Sequence, residues 1–400
     1  MNISSNQSGW KSQKSIAENS NLTGIMELFF KNIYERFQAF EKISIVNDSR
    51  RHSTSLKQLE IPVPVIEAFF DSYYRTTFLD FLNSVKQIIY AENVYEFILK
   101  KTQDDWKLNR LLRFLQQEDI IKITRSGRPV VANKQILKSI PAPQTEDQII
   151  KKIETALEVK FEADEPVLNL LRNHQRFSVK AGWDQMPISQ GSAVFVVKKI
   201  LEELPLNKKF LFVGDDDFIS ILLSLADPSI ESLVVDADEQ LLDCIDALAK
   251  KFDLSVENKK MDLMKARRIG ETFIGFLANP IYTAEGIKKF ISFGLRQMGE
   301  DGGMVFLEMG DEAIRNRMLD VQRFFTARNL ITTDIITGRI SYPHIMLYEE
   351  DREIFNRLAA MMDKKVIRTS PKLGAAFYVF RYLPFKPQPV KYKMPAYAYL

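Results

Sequence analysis

Cysteine is nearly missing from this sequence and histidine is almost as scarce: Cys244 stands alone, and His52, His174 and His344 are scattered. One cysteine makes no internal disulfide, and the histidines have no spacing on which to build a zinc site, so no metal is expected. An excess of charge of one sign is lacking too, since 55 Lys and Arg face 52 Asp and Glu for a net charge of +3. Such a balance gives no whole-molecule field toward nucleic acid or lipid, and neither is expected as a partner. No apolar run approaches the roughly 20 residues that cross a bilayer. The first ten residues also lack the basic start and apolar core of a signal peptide, which points to the cytosol.

What is abundant is core-forming surface: 46% of the 400 residues are hydrophobic and 28 are Phe, enough for two domains of roughly 100 to 200 residues each. Residues 1–24 are Ser- and Asn-rich and are expected to form a flexible tail. Ile25, Leu28, Phe29, Ile33 and Phe37 recur at helical spacing, and after Pro62 and Pro64 a second helix is predicted through Ile66, Phe69, Phe70, Tyr73, Phe78, Phe81 and Leu82. Its aromatic surplus fits a helix buried between domains or protomers, and a homodimer is expected. Val94, Phe97 and Ile98, then Lys107 to Gln116, read as two short helices, followed by β-branched runs on either side of Gly127. Helix, helix, hairpin is a winged-helix pattern. Lys107, Arg110 and Arg113 would suit DNA phosphates, but Asp104, Asp105, Glu118 and Asp119 oppose them, which favours a dimerisation or gating module.

Ser139 to Pro143 reads as a linker, dividing a domain over 25–138 from one over 144–383. Thr145 and Gln148 form a capping box, and beyond them apolar runs alternate with helical patterns. The runs are Phe210 to Val213, Leu233 to Val235, a stretch ending at Met261, Phe273 to Leu277, Met304 to Leu307, Ile331 to Ile336 and Ala375 to Phe380. This is an α/β pattern: about seven strands, mostly parallel, with crossover helices. Residues 384–400 carry no acid and several prolines, and fit either a lid or a disordered tail.

Ligands of an open parallel sheet sit beyond the carboxyl ends of its strands. The first strand runs into Gly214-Asp215-Asp216-Asp217, and three carboxylates there would repel a pyrophosphate and suit a cation or a neutral nucleoside. Helix capping explains one such acid well and three poorly. The second strand ends at Asp236, about 20 residues on, where an acid accepts bonds from ribose hydroxyls. Asp262 follows the third strand, placed for an adenine amino group or a helix cap. Asn279-Pro280-Ile281-Tyr282 follows the fourth, where an amide can hold a reacting amine and a Tyr face can attract a cation. One glycine, three acids, a ribose acid and this turn describe an adenosine-sulfonium site.

The run Phe212 to Ser220, with Val235 to Glu239 behind it, resembles the branched-chain polyamine synthases, the bis(aminopropyl)spermidine synthase family. Trp183-Asp184-Gln185 is similar to that family's aromatic-Asp-Gln segment, and Thr333 to Ile336 to its late strand; the likeness covers about Val94 to Arg381. It implies a Rossmann-like class I methyltransferase fold behind the helical and winged-helix domain. It also implies transfer of an aminopropyl group from decarboxylated S-adenosylmethionine to a polyamine or other amine, releasing methylthioadenosine. Asp215, Asp216 and Asp217 would hold and deprotonate the acceptor, Asp216 foremost, with Asn279 beside them. Gly214, Asp236, Asp262 and Gln185 would meet the donor, and Trp183, Asp184 and Tyr282 the acceptor. The family's usual Asp-Pro-Pro is replaced here by Asn279-Pro280-Ile281, and the Thr and Glu that commonly follow the aromatic-Asp-Gln segment are missing.

Two other functions share these features. One is methyl or aminocarboxypropyl transfer from S-adenosylmethionine to an amine; the other is a nucleoside-sensing winged-helix regulator. In all three Asp236 binds the nucleoside, so Asp236→Ala is expected to weaken methylthioadenosine binding by about 1 to 3 kcal/mol in calorimetry. Unchanged affinity removes Asp236 from the site.

Overall fold

The computed structural model describes residues 25–44, 64, 76–95, 105–180, 185–206, 209–263, 265, 268–343 and 373–385. The predicted tail over 1–24, all of the tail predicted over 384–400 except its first two residues, and the aromatic positions between Ile66 and Tyr73 lie outside the described residues. The chain divides into two units, Met1–Ala142 with Phe385–Leu400, and Pro143–Pro384.

In the first unit residues 25–44 are helical (α1). Met26, Phe30, Ile33 and Phe37 form the buried stripe. Ile25 and Leu28, which the spacing put on that stripe, are 59% and 63% exposed. The true register steps by four and then three from Met26, and Ile25 and Leu28 fall on its far side. Helix α2, Phe78–Ile89, opens with a Thr77/Asp80 capping box. Helix α3, Asp105–Gln117, carries Phe114, whose ring lies 5.3 Å from that of Phe37, and Phe81 of α2 lies 5.4 Å from the same ring. Arg110 is turned toward Glu41 of α1 at 4.0 Å. Strands β1, Ile121–Ile123, and β2, Pro129–Val131, pair antiparallel across a turn where Gly127 takes φ +81°. A short helix, α4, follows at Lys134–Ser139.

The second unit opens with α5, Glu146–Leu157, behind the Thr145/Gln148 capping box, and α6, Gln190–Glu203. Strands β3 (Phe210–Val213), β4 (Ser232–Asp236), β5 (Val256–Lys260), β6 (Gly275–Ala278), β7 (Gly303–Met309), β8 (Leu330–Tyr342) and β9 (Leu373–Tyr382) form one sheet in the order β5-β4-β3-β6-β7-β9-β8. The first five run parallel and β9 is antiparallel to both neighbours. That order with a reversed strand near one edge is the methyltransferase-like Rossmann arrangement. Every residue of β3, β6 and β7 is buried, as parallel strands covered on both faces require.

Side-chain alternation sorts the core into two layers. Leu211, Val213, Val305 and Leu307 face α9 (Ala284–Leu295) and α10 (Met318–Ala327), meeting Ile287, Ile291, Val321 and Phe325. Phe210, Phe212 and Phe306 point the other way into an aromatic layer, with Phe306 5.9 Å from Phe377 and Phe377 5.6 Å from Phe195 of α6. Val213 is level with Val235 on one side and Ala278 on the other, and Ala278 with Leu307. The carboxyl ends of β4, β3, β6 and β7 therefore open on one rim. Phe306→Ala would empty the centre of the aromatic layer, and a loss of about 3 to 5 kcal/mol is expected in denaturant unfolding.

Candidate active site

The rim begins at Gly214, whose φ of +79° is left-handed. A Cβ there would lie 3.0 Å from the Asn279 carbonyl oxygen and 3.4 Å from the Phe290 ring, so glycine is the residue that lets the two turns touch. Asp215 comes next. Its buried carboxylate accepts the N–H groups of Ile219 at 2.8 Å and Ser220 at 3.2 Å, at the first turn of α7 (Ile219–Ala226). The first of the three acids is thus engaged as a helix cap. Asp216, half-buried, accepts the Asn279 side-chain amide at 2.8 Å. Asp217, buried, accepts the same amide nitrogen at 3.0 Å and the Ile188 N–H at 2.8 Å. Asn279, expected to hold a reacting amine through its oxygen, turns its nitrogen onto both acids. Burial raises all three carboxyls well above the usual range; for Asp216 the charges of Asp217 and Asp236 add to it, and for Asp217 that of Glu308.

Glu308 is the residue that the sequence reading missed. It sits on β7, fully buried, on the same face as Phe306, where alternation calls for an apolar side chain. Neither of its oxygens has a hydrogen-bond partner among the described residues. Burial, then the charges of Asp216 and Asp215, push it up to about 8. A lone Glu closing the apolar run Met304 to Leu307 was the available signal. Facing these acids are two phenols, Tyr282 and Tyr342 of β8, hydrogen-bonded to each other through their hydroxyls. The Tyr282 ring rests on Gly310, where a Cβ would come within 2.9 Å of it. Burial raises both phenols well above their ordinary range; the Glu308 charge comes next for Tyr282, and that of Tyr282 and then Glu308 for Tyr342.

The end of β4 holds a second polar group. Asp236, half-buried, accepts the Asp238 N–H at 2.8 Å, and burial raises its pKa. Asp238 caps α8 (Glu239–Phe252) through the Gln240 N–H at 3.0 Å. It also meets Lys180 Nζ at 2.5 Å and Gln185 Nε2 at 3.0 Å. Burial opposes its charge, but Lys180 and Gln185 outweigh this and hold it below the usual range. Gln185 is therefore brought to the β4 end, where its amide is engaged by Asp238 and by the Lys180 N–H. Asp262 is not brought to the cluster: it is exposed, in a turn with Lys265 at 3.2 Å. Trp183 and Asp184 lie outside the described residues. Asp216, Asp217 and Glu308 thus form an acidic cluster close to Tyr282, with Asp236 at the neighbouring strand end. No described helix is long and apolar enough to cross a membrane.

Residues 170–384 match the family model of the branched-chain polyamine synthase A C-terminal domain. The chain is 30% identical over 152 residues to an uncharacterized protein of Methanocaldococcus jannaschii, covering 38% of this chain and 37% of that protein, well under two thirds of its length. It is 26% identical over 281 residues to the N(4)-bis(aminopropyl)spermidine synthase of the same organism, covering 65% of this chain and 79% of that protein. Among solved structures, it is similar to the branched-chain polyamine synthase C9 mutein of Thermus thermophilus, in complex with N4-aminopropylspermidine and 5'-methylthioadenosine. That match has a TM-score of 0.45 and 15% identity, over 82% of this chain and 94% of that one.

The raised Glu308 has a thermodynamic consequence. An unfolded Glu ionises near 4.5, whereas the folded one keeps its proton up to about 8. Its contribution is therefore complete below the unfolded value and is lost as pH rises toward 8. Unfolding free energy is expected to decline over that window in the wild type and to decline less in Glu308→Gln, measured by denaturant titration at several pH values. Parallel profiles would show that Glu308 titrates normally.

Proposed function

Since the chain belongs to the branched-chain polyamine synthase family, we propose that it moves an aminopropyl group from decarboxylated S-adenosylmethionine to a polyamine nitrogen. The observation that carries this reading is the acid cluster of half-buried Asp216 with buried Asp217 and Glu308, which lacks a pairing cation among the described residues. A polyamine supplies that cation, and burial makes the attraction stronger than it would be in water. The donor suits the same field, being a sulfonium without a carboxylate.

Asp236 receives the ribose hydroxyls, and the sulfonium-bearing chain points toward the acidic turn. The acceptor nitrogen must attack unprotonated, and Asp216, with its pKa raised by burial and by neighbouring charge, takes the proton. The nitrogen lone pair then forms a bond to the carbon beside sulfur as the carbon–sulfur bond breaks. The bonding pair stays on sulfur, which leaves as neutral methylthioadenosine. Asn279 keeps Asp216 and Asp217 apart by holding one oxygen of each, and Glu308 and Tyr282 receive the rest of the polyamine.

Mass spectrometry of products after incubation with decarboxylated S-adenosylmethionine or S-adenosylmethionine and a panel of amines tests the reading directly. Aminopropylated amine and methylthioadenosine are expected, and the rate should fall by about 10² to 10⁴ in Asp216→Asn with nucleoside binding retained. A methylated or aminocarboxypropylated product would shift the donor to S-adenosylmethionine. Full activity in Asp216→Asn would remove it as the base.

A further inference from the structure

One cation pairs with the acids of the rim. Among the described residues Lys180 is the basic side chain in an ion pair with any of Asp215, Asp216, Asp217, Asp236, Asp238 and Glu308, and its partner is Asp238. Asp238 is 2% exposed, so its charge needs a counter-ion. The contacts around this pair reach both halves of the site. The Asp238 N–H donates to the Asp236 carboxylate. Gln185 closes a ring with the pair, accepting the Lys180 N–H at 2.9 Å and donating to the second Asp238 oxygen at 3.0 Å. From Gln185 the chain runs directly into the acidic turn, where the Met186 backbone acts to lower the pKa of Asp216 and the Ile188 N–H bonds Asp217 at 2.8 Å.

We propose that Lys180 is a positioning residue that locks Asp238 as the hub joining the nucleoside acid, Asp236, to the strap, residues 185–188, that holds the acceptor acids. The inference rests on the transfer reading above and deepens it: the donor and acceptor halves are set by one ion pair at their junction. Without Lys180, Asp238 keeps a buried charge beside Asp236 with no counter-ion, and it would take up a proton. A protonated carboxyl loses acceptor capacity toward Gln185 or Gln240, and the strap loses its fixed end. Asp216 and Asp217 would then be held by Asn279 alone.

The test is Lys180→Met with Lys180→Arg as the conservative control, in steady-state kinetics and in calorimetry with methylthioadenosine. A misplaced turn is felt in the chemical step, so kcat should fall by about 10- to 100-fold while the acceptor KM changes by less than about threefold. The methylthioadenosine Kd should rise by about three- to tenfold, and Lys180→Arg should recover most of both losses. In an Asp238→Asn background the hub has no charge to balance, so adding Lys180→Met should cost less than about a further twofold.

Wild-type kcat and Kd in Lys180→Met would overturn the proposal, as would a loss of the same size in the Asp238→Asn background. A chain that loses its fold with Met and Arg alike would mark Lys180 as a structural strut and overturn it too. A wild type that binds methylthioadenosine yet transfers nothing sinks the transfer reading alone, and the affinity arm still decides Lys180. A wild type that binds no methylthioadenosine overturns both.

Discussion

Carboxylates buried side by side in a medium of low dielectric cannot all stay charged without cations or fixed donors to meet them, and this rim gathers six: Asp215, Asp217, Asp238 and Glu308, which are buried, and Asp216 and Asp236, which are half-buried. The fold treats them unequally. Asp215 is answered by two amides at the start of α7 and Asp238 by Lys180. Asp216 and Asp217 share the Asn279 amide, Asp217 also accepts the Ile188 N–H, and Glu308 has no hydrogen-bond partner among the described residues. The members without a cation among the described residues are those whose pKa is raised by burial and by neighbouring charge, so a cation brought among them would favour their charged forms. On the proposed reading, the acids that attract an ammonium are also the ones whose raised pKa suits them to accept its proton.

The parallel sheet makes this arrangement possible. The register of β4, β3, β6 and β7 ends four strands on one rim, so residues far apart in sequence meet there: Gln185 and Ile188, Asp216, Asp236, Asn279 and Glu308. Glycine supplies the closeness at two points. Gly214 lets the first turn touch Asn279, and Gly310 lets the Tyr282 ring lie over the end of β7. The aromatic layer of Phe210, Phe212, Phe306 and Phe377 continues along the face of β7 that carries Glu308.

Strands buried on both faces were legible because nothing but apolar residues can occupy them: Phe210 to Val213 and Met304 to Leu307 coincide with β3 and most of β7. Strand β5 reads Val-Glu-Asn-Lys-Lys and carries no such signal, since an edge strand exposes most of its side chains. Strand β8 continues to Tyr342, beyond the predicted Ile336, because its pairing with β9 resumes after a bulge between Ile336 and Ile340. In the site, the triple Asp announced itself by charge, but the division of labour within it depends on where α7 begins. Glu308 was hidden for the opposite reason, as a single charge at the end of an apolar run. Lys180 has no pattern at all, because its partner lies 58 residues away and only the folded strap brings them together.

The replacement of the family's usual Asp by Asn279 gains a physical meaning in this setting. An Asp at this position would add a carboxylate within hydrogen-bond distance of two others, and all three could approach only by sharing protons. The Asn amide instead donates to Asp216 and Asp217 at 2.8 and 3.0 Å. It fixes the separation of the two acids and lowers the negative charge of the pocket by one. Glu308, buried behind them, returns a negative charge to the pocket as it ionises, and a polycation is what would drive that ionisation. On the proposed reading the site keeps its attraction for amines while a neutral donor holds Asp216 and Asp217.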